Sequence, residues 1–188
     1  MGYISSGNVI NCVNYGTVEG KEYVGGIVGY ANTNVQIMNN ANFGSVTNLP
    51  GNTGTGGIVG RVNSNSCYVL NNYNCGSVYA PEDIKNVGAI VGDDYNENAI
   101  IKYNYYLAGC ATNKYGNNCG AVGGSADELA SSFETLASTM KGTAGEYVGK
   151  TLIEALNAWV EANGETYGAV KRWSAADRNG YPLPISKE

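Results

Sequence analysis

Hydrophobic positions in the first 120 residues fall in short runs, such as Tyr23-Val24, Ile27-Val28 and Val35-Gln36-Ile37-Met38, punctuated by Gly and Asn. Runs of this length between turn residues predict short β-strands. No helical periodicity interrupts them before residue 120. The runs repeat. Gly25-Gly26-Ile27-Val28-Gly29 returns as Gly56-Gly57-Ile58-Val59-Gly60, as Gly88-Ala89-Ile90-Val91-Gly92, and as the shorter Gly120-Ala121-Val122-Gly123. The starting positions 25, 56, 88 and 120 are separated by 31, 32 and 32 residues. A second pattern, Asn-x-x-Asn-x-Gly-x-Val, keeps the same phase at Asn11–Val18, Asn39–Val46 and Asn71–Val78, with a decayed copy over Asn104–Gly109.

A fixed period of this size marks one supersecondary unit stacked on copies of itself. One such unit cannot bury its apolar side alone, so its neighbours must cover it. The pattern therefore predicts a mainly β fold, a β-solenoid or β-helix of about four coils. At the usual inter-strand spacing, four coils make a rod about 20 Å long. The glycines, Gly25, Gly56 and Gly88 among them, supply either backbone at positive φ or close chain approach. The asparagines tolerate left-handed backbone and bond to nearby main chain. Stacked in register, Asn14, Asn42 and Asn74 are expected to form an amide ladder of the kind seen in cross-β stacks.

The pattern changes near residue 125, which places solenoid repeats over 1–124 and a small α+β C-terminal cap over 125–188. Ser125-Ala126-Asp127-Glu128 reads as a capping box. Leu129, Phe133, Leu136 and Met140 follow at helical spacing, with Gly142 as the stop. A second helix is expected from Tyr147 to Ala162, stopped by Asn163-Gly164. Val170 to Ile185 reads as a strand pair turning at Asp177-Arg178-Asn179-Gly180, with Pro182 and Pro184 confining Tyr181–Leu183 to an edge. Trp159 and Trp173 are expected in the core. At the other end, Gly2-Tyr3 precedes Asn11 much as Gly29-Tyr30 precedes Asn39, so the first repeat is truncated and further repeats of the parent chain are expected upstream, with Met1 an imposed start. Met1–Ile10 has neither the basic nor the apolar region of a signal peptide.

These motifs resemble the GLUG repeat family. The resemblance rests on Gly25-Gly26-Ile27-Val28-Gly29-Tyr30 and Asn14-Tyr15-Gly16-Thr17-Val18 and covers about residues 2–123. The third copy departs from it at Ala89 and Asp93, and the fourth matches poorly. Leu156-Asn157, Trp173 and Asn179-Gly180-Tyr181-Pro182 also look like the tail that closes such proteins. The family resemblance implies an exported bacterial surface protein, extracellular or at the cell surface, with a scaffold or adhesion role. Members include metallopeptidases that cleave immunoglobulin A, in which the repeats lie outside the catalytic domain. The resemblance carries over no catalytic residue.

Composition narrows the chemistry. The chain has 188 residues, net charge −5 and no histidine. Without histidine there is no Ser-His-Asp or Cys-His machinery and no His-based zinc site. Eleven scattered Lys and Arg offer no basic patch for nucleic acid. No apolar run is long enough to span a membrane. The five cysteines, Cys12, Cys67, Cys75, Cys110 and Cys119, include no Cys-x-x-Cys pair. Cys67 takes the repeat position of Val35, and Cys75 that of Tyr15 and Phe43. They read as buried free thiols, with Cys110–Cys119 the candidate disulfide.

Three features remain as candidate chemistry. Asp93-Asp94-Tyr95-Asn96-Glu97 is the densest acidic cluster and reads as a solvated corner. Asp94, Asn96 and Asn98 alternate as calcium ligands do, though the glycine and closing glutamate of a calcium loop are missing. Carboxylates here could alternatively serve a β-helical polysaccharide-cleaving enzyme, which needs two of them about 5–9.5 Å apart. Tyrosine is in excess, at 15 residues. Tyr103, Tyr105 and Tyr106 cluster, and Tyr15, Tyr30, Tyr68, Tyr73, Tyr79 and Tyr95 fall near coil edges. A face built on Tyr103, Tyr105, Tyr106, Asp93 and Asp94 would suit a glycan or a host surface protein. The sequence therefore predicts a non-catalytic binding module without a cofactor, with a polysaccharide-cleaving domain, or an inert spacer beside an upstream peptidase domain, as the alternatives.

Overall fold

A computed structural model describes residues 1–50, 54–81, 86–123, 130–139, 149–175 and 179–185. The repeat becomes a parallel β-solenoid. Each coil runs through short strands that stack on the equivalent strands of the coils before and after it, giving five faces among the described residues. The first holds Tyr3–Ile4, Val28–Ala31, Val59–Val62 and Val91–Asp94; the second holds Gly7–Ile10, Val35–Met38, Tyr68–Leu70 and Ile100–Lys102. The third holds Val13–Asn14, Ala41–Asn42, Tyr73–Asn74, Asn104–Leu107 and Ala130–Phe133. Val18–Gly20, Val46–Asn48, Val78–Tyr79 and Ala111–Thr112 form the fourth face, and Val24–Gly25, Thr55–Gly56 and Val87–Gly88 the fifth. Most faces thus carry four strands, and the fifth carries three.

Apolar side chains fill the coil interior in register. Val9, Ile37, Val69 and Ile101 are stacked partners on the second face. They pack with Val28, Val59, Val91, Ile58 and Ile90 in one buried cluster. Burying one such side chain contributes about 1.5–3 kcal/mol, so the core accumulates coil by coil. The repeat glycines serve close approach. A Cβ on Gly56 would lie 2.0 Å from the Val59 carbonyl oxygen, and one on Gly57 2.2 Å from the Ala89 carbonyl oxygen and 2.4 Å from Asn74 Cγ. The Gly-Gly step and the Asn motif touch across the coil, which is why the two patterns hold constant phase. Left-handed backbone falls instead on Asn11, Asn39 and Asn71, at φ 57°, 60° and 54°, and on Tyr103 at 57°.

The asparagines form three ladders. Asn14 Nδ2 donates to Asn42 Oδ1 at 2.8 Å, and Asn42 Nδ2 to Asn74 Oδ1 at 2.8 Å. Asn40 Nδ2 donates to Asn72 Oδ1 and Asn72 Nδ2 to Asn104 Oδ1, each at 2.9 Å. Along the left-handed corner, Asn39 Nδ2 donates to Asn11 Oδ1 at 2.7 Å and Asn71 Nδ2 to Asn39 Oδ1 at 2.8 Å. These amides are buried in the middle coils, where an unbonded polar group would be costly.

The C-terminal part departs from expectation. No helix forms around Phe133. Ala130–Phe133 is instead a strand paired in parallel with Asn104–Leu107, extending the third face. Leu136 lies in a turn beyond it. The predicted capping box, Leu129, Met140, Gly142 and Tyr147 lie outside the described residues. The one described helix, α1, spans Leu152–Tyr167. It starts where the Glu154 carboxylate accepts bonds from the Thr151 N–H and hydroxyl. It passes through the expected stop at Asn163-Gly164, where Asn163 Nδ2 bonds back to the Trp159 carbonyl, and it ends at Gly168, φ 63°. Trp173–Ala175 and Pro182–Pro184 then pair antiparallel, as the Asn-Gly signal predicts.

This tail lies along the side of the solenoid. Leu152, Leu156, Trp159 and Trp173 bury against Met38, Leu70, Tyr73 and Tyr105, forming a second core outside the coils. The corner asparagines carry the seam. Asn11 Nδ2 donates to the Ala169 carbonyl, Asn39 Nδ2 to that of Lys171, and Asn71 Nδ2 to that of Leu156. Trp173 Nε1 donates to Asn39 Oδ1 at 2.5 Å. The tail is thereby bonded to three successive coils.

Candidate functional site

The first face carries one repeat position that varies in chemistry while its neighbours stay fixed. Val28, Val59 and Val91 point into the core, as do Ala31 and Val62. Between them, Tyr3, Tyr30, Arg61 and Asp93 are successive register partners. The sequence pattern sets this arrangement: the position follows the last Gly of each Gly-rich string, where the side chain leaves the core.

Stacking turns the row into a column. Tyr3 and Tyr30 stack with ring centroids 5.3 Å apart and planes 14° from parallel. Tyr23, held at φ 47°, meets Tyr30 edge-on at 5.2 Å. The Arg61 guanidinium carbon lies 3.8 Å from the Tyr95 ring centroid, 5.0 Å from that of Tyr23 and 6.0 Å from that of Tyr30. A cation over tyrosine faces is attracted by the ring quadrupole, more strongly where water is excluded. The Arg61 side chain is 12% exposed; it donates from Nη1 to the Tyr23 hydroxyl at 2.6 Å and pairs through Nε with Asp93 Oδ2 at 3.4 Å. Tyr3 and Tyr95, at the ends of the column, are 59% and 61% exposed.

The local electrostatics follow from burial. Asp93 is raised above the ordinary aspartate value because burial outweighs the pull of Arg61. Asp94 is also raised, chiefly by burial, with the Ala99 N–H opposing and the charges of Asp93 and Glu97 adding. Tyr30 is raised by burial, against Arg61. Beside the column runs a neutral polar row. Asn63 Nδ2 donates to Asn32 Oδ1 at 3.0 Å, Asn96 Nδ2 donates to the Asn63 carbonyl, and Ser64 and Ser66 share a hydroxyl bond at 2.9 Å.

The expected binding face divides. Asp93 and Asp94 lie on this surface, but Tyr103, Tyr105 and Tyr106 do not join it as a platform. Tyr105 is 2% exposed in the outer core, where it is the register partner of Tyr73. Tyr103 packs against the same core, and Tyr106 against the interior clusters. The tail packs over Tyr105 and against Tyr103, whereas Tyr106 turns into the coil interior. Of the calcium-type oxygens, Asp94 Oδ2 accepts the Ala99 N–H, while Asn96 and Asn98 turn their amide nitrogens toward the Asn63 and Asn96 carbonyls. Among the described residues no three His, Cys, Asp or Glu side chains gather as a metal cluster. None of the five cysteines is in a disulfide, Cys110 and Cys119 included. Cys110 accepts from Asn74 Nδ2 at 3.4 Å, and burial pushes its thiol up to about 12. A separate groove of about 690 Å³ lies between Leu107, Phe133 and Leu136 on one side and Asn179 and Tyr181 on the other.

Sequence reasoning picked out Asp93 as the departure of the third copy from the string that Tyr30 ends in the first. It missed the cage that Tyr23 and Tyr95 complete, because those residues come from the corners and only stacking brings them to the row.

The fold defines the class: a parallel β-solenoid with a lateral α/β tail. No family model matches the sequence, and comparison with curated proteins finds no match. The structure is similar to the crystal structure of a proposed immunoglobulin A1 protease from Bacteroides ovatus, with a TM-score of 0.59 and 21% identity. The likeness covers 97% of this chain and 58% of that one, so this chain spans little more than half of its length. At that identity the two share a fold.

Proposed function

We propose that this chain is a non-catalytic, GLUG-type repeat module of an exported bacterial surface protein, and that it binds glycan through the Tyr3–Tyr30–Arg61–Tyr95 column. The observation that carries the reading is this rigid column, fixed by strand register and open at both terminal rings. Rigid aromatic side chains supply contact area at little entropic cost on binding. The fold shared with a proposed immunoglobulin A1 protease agrees with the repeat resemblance and supports a module that accompanies other domains.

Asp93 is ion-paired with Arg61, and Asp94 Oδ2 accepts the Ala99 N–H while Asp94 Oδ1 is buried without a hydrogen-bond partner among the described residues, so the polysaccharide-cleaving alternative is tested alongside binding. A glycan array probed with the chain tests the proposal. Binding that the Tyr3→Ala/Tyr95→Ala double variant loses, and that Tyr115→Ala retains, supports it; Tyr115 is equally exposed but lies away from the column. Equal binding by both variants, or release of reducing ends from the polysaccharides, overturns it.

A further inference from the structure

We infer that the ligand of the first face is an uncharged glycan, held by ring stacking at Tyr95 and by the adjoining amide row, and that anionic sugars are disfavoured there; this rests on the proposed glycan-binding reading.

Arg61 is the cation of the column, and it is held within the protein: enclosed by Tyr23, Tyr30 and Tyr95, bonded from Nη1 to the Tyr23 hydroxyl, and ion-paired with Asp93 although its Nε makes no hydrogen bond. A carboxylate or sulfate ligand would have to break that pairing to reach it. The other charges nearby do not help an anion. Lys21 and Glu22, next to Tyr23 in the chain, are both exposed and offset one another, while Glu97 is an exposed carboxylate whose charge acts on Asp94. Like charges across an interface are repulsive and set specificity against the wrong partner.

Arg61 covers one face of Tyr95, and the ring is 61% exposed, which leaves the opposite face to solvent. Tyr30 covers one face of Tyr3 in the same way. Within the column the ring faces are occupied, so the side of the column offers edges and hydroxyls. A sugar's apolar C–H face suits the open rings, and its hydroxyls suit the edges. The Asn32–Asn63–Asn96 row lies on the turns that follow the strands of the column; beyond its internal bonds it offers, without charge, the Asn32 amide nitrogen and the Asn63 and Asn96 amide oxygens. The column spans three inter-strand steps, about 14 Å, which fits an oligosaccharide running along the stack axis.

Competition and salt dependence test this on the full chain. Neutral oligosaccharides should compete for the immobilised array ligand, with affinity changing less than about twofold between about 0.05 M and about 0.5 M NaCl, because no exposed ion pair is screened. Tyr95→Ala should weaken that binding about tenfold, the loss of one stacking contact. Lys21→Gln, at an exposed charge outside the column, should leave the chain's preference for neutral over sialylated or sulfated sugars unchanged. Preference for an anionic sugar, or affinity that collapses with salt, overturns the inference while leaving glycan binding itself intact. Absence of binding to any glycan removes both.

Discussion

At Asn39 one side chain holds two interfaces. It bonds to Asn11 and Asn71 along the stack, and to Lys171 and Trp173 in the tail, while its own backbone is left-handed. Asn39→Ala strands those partners in a buried site and places a Cβ-bearing residue without a compensating amide at positive φ. Chemical denaturation should show a loss of about 3 kcal/mol or more. Tyr103 is the mirror case. It takes the same left-handed corner in the fourth copy, and there the ladder stops: Asn71 Oδ1 is buried without a partner among the described residues. Tyr103→Asn supplies a tolerant residue and a donor but removes a ring packed on the outer core, so the same assay should show a net change of less than about 1 kcal/mol, against the large loss at Asn39→Ala. Asp94 has the opposite electrostatic logic. Its folded pKa lies above the unfolded value, so the folded state binds its proton more tightly and its charge costs stability above the folded pKa. That cost disappears as pH falls through the folded pKa toward 3.8. Asp94→Asn should therefore raise Tm at pH 7, and the gain should vanish near pH 3.

The strands are the elements that the sequence made most legible. Phase, period and the Asn14–Asn42–Asn74 row followed from reading the copies against one another. Two further ladders did not, although the recurring Asn39-Asn40 and Asn71-Asn72 pairs were a visible signal: adjacent asparagines at a corner point to different sides and each builds its own row. The strand at Ala130–Phe133 escaped because Leu129, Phe133, Leu136 and Met140 mimic a helical face, whereas a parallel partner in the last coil decides the outcome by pairing. Helix α1 runs on past Asn163-Gly164, where an i−4 side-chain bond joins Asn163 to the Trp159 carbonyl. Strand spacing also sets what the glycine strings tolerate. Gly57→Ala forces a methyl into the Ala89 carbonyl and Asn74, while Gly2, with nothing within 4 Å of an added Cβ, has room. Gly57→Ala should cost about 3 kcal/mol or prevent folding, and Gly2→Ala should leave Tm unchanged.

The whole molecule is a short stack bound lengthwise by its own tail. The sequence placed a cap after the last coil; the structure lays that segment against the flank, where corner amides from three coils and an outer apolar core receive it. Nothing in a linear pattern says which exterior surface a later segment will cover, so the tyrosines of the fourth copy could not be distinguished from those of the column. The tail covers the third face and the column on the first face stays open. We propose this open face as the binding surface. Titrating the isotopically labelled chain with a neutral oligosaccharide identified on the array, and following backbone amide resonances, tests it most directly. The account predicts shifts confined to Tyr3, Tyr30, Arg61, Tyr95 and the Asn32–Asn63–Asn96 row. Shifts centred instead on the groove at Leu107, Phe133 and Tyr181 would contradict it.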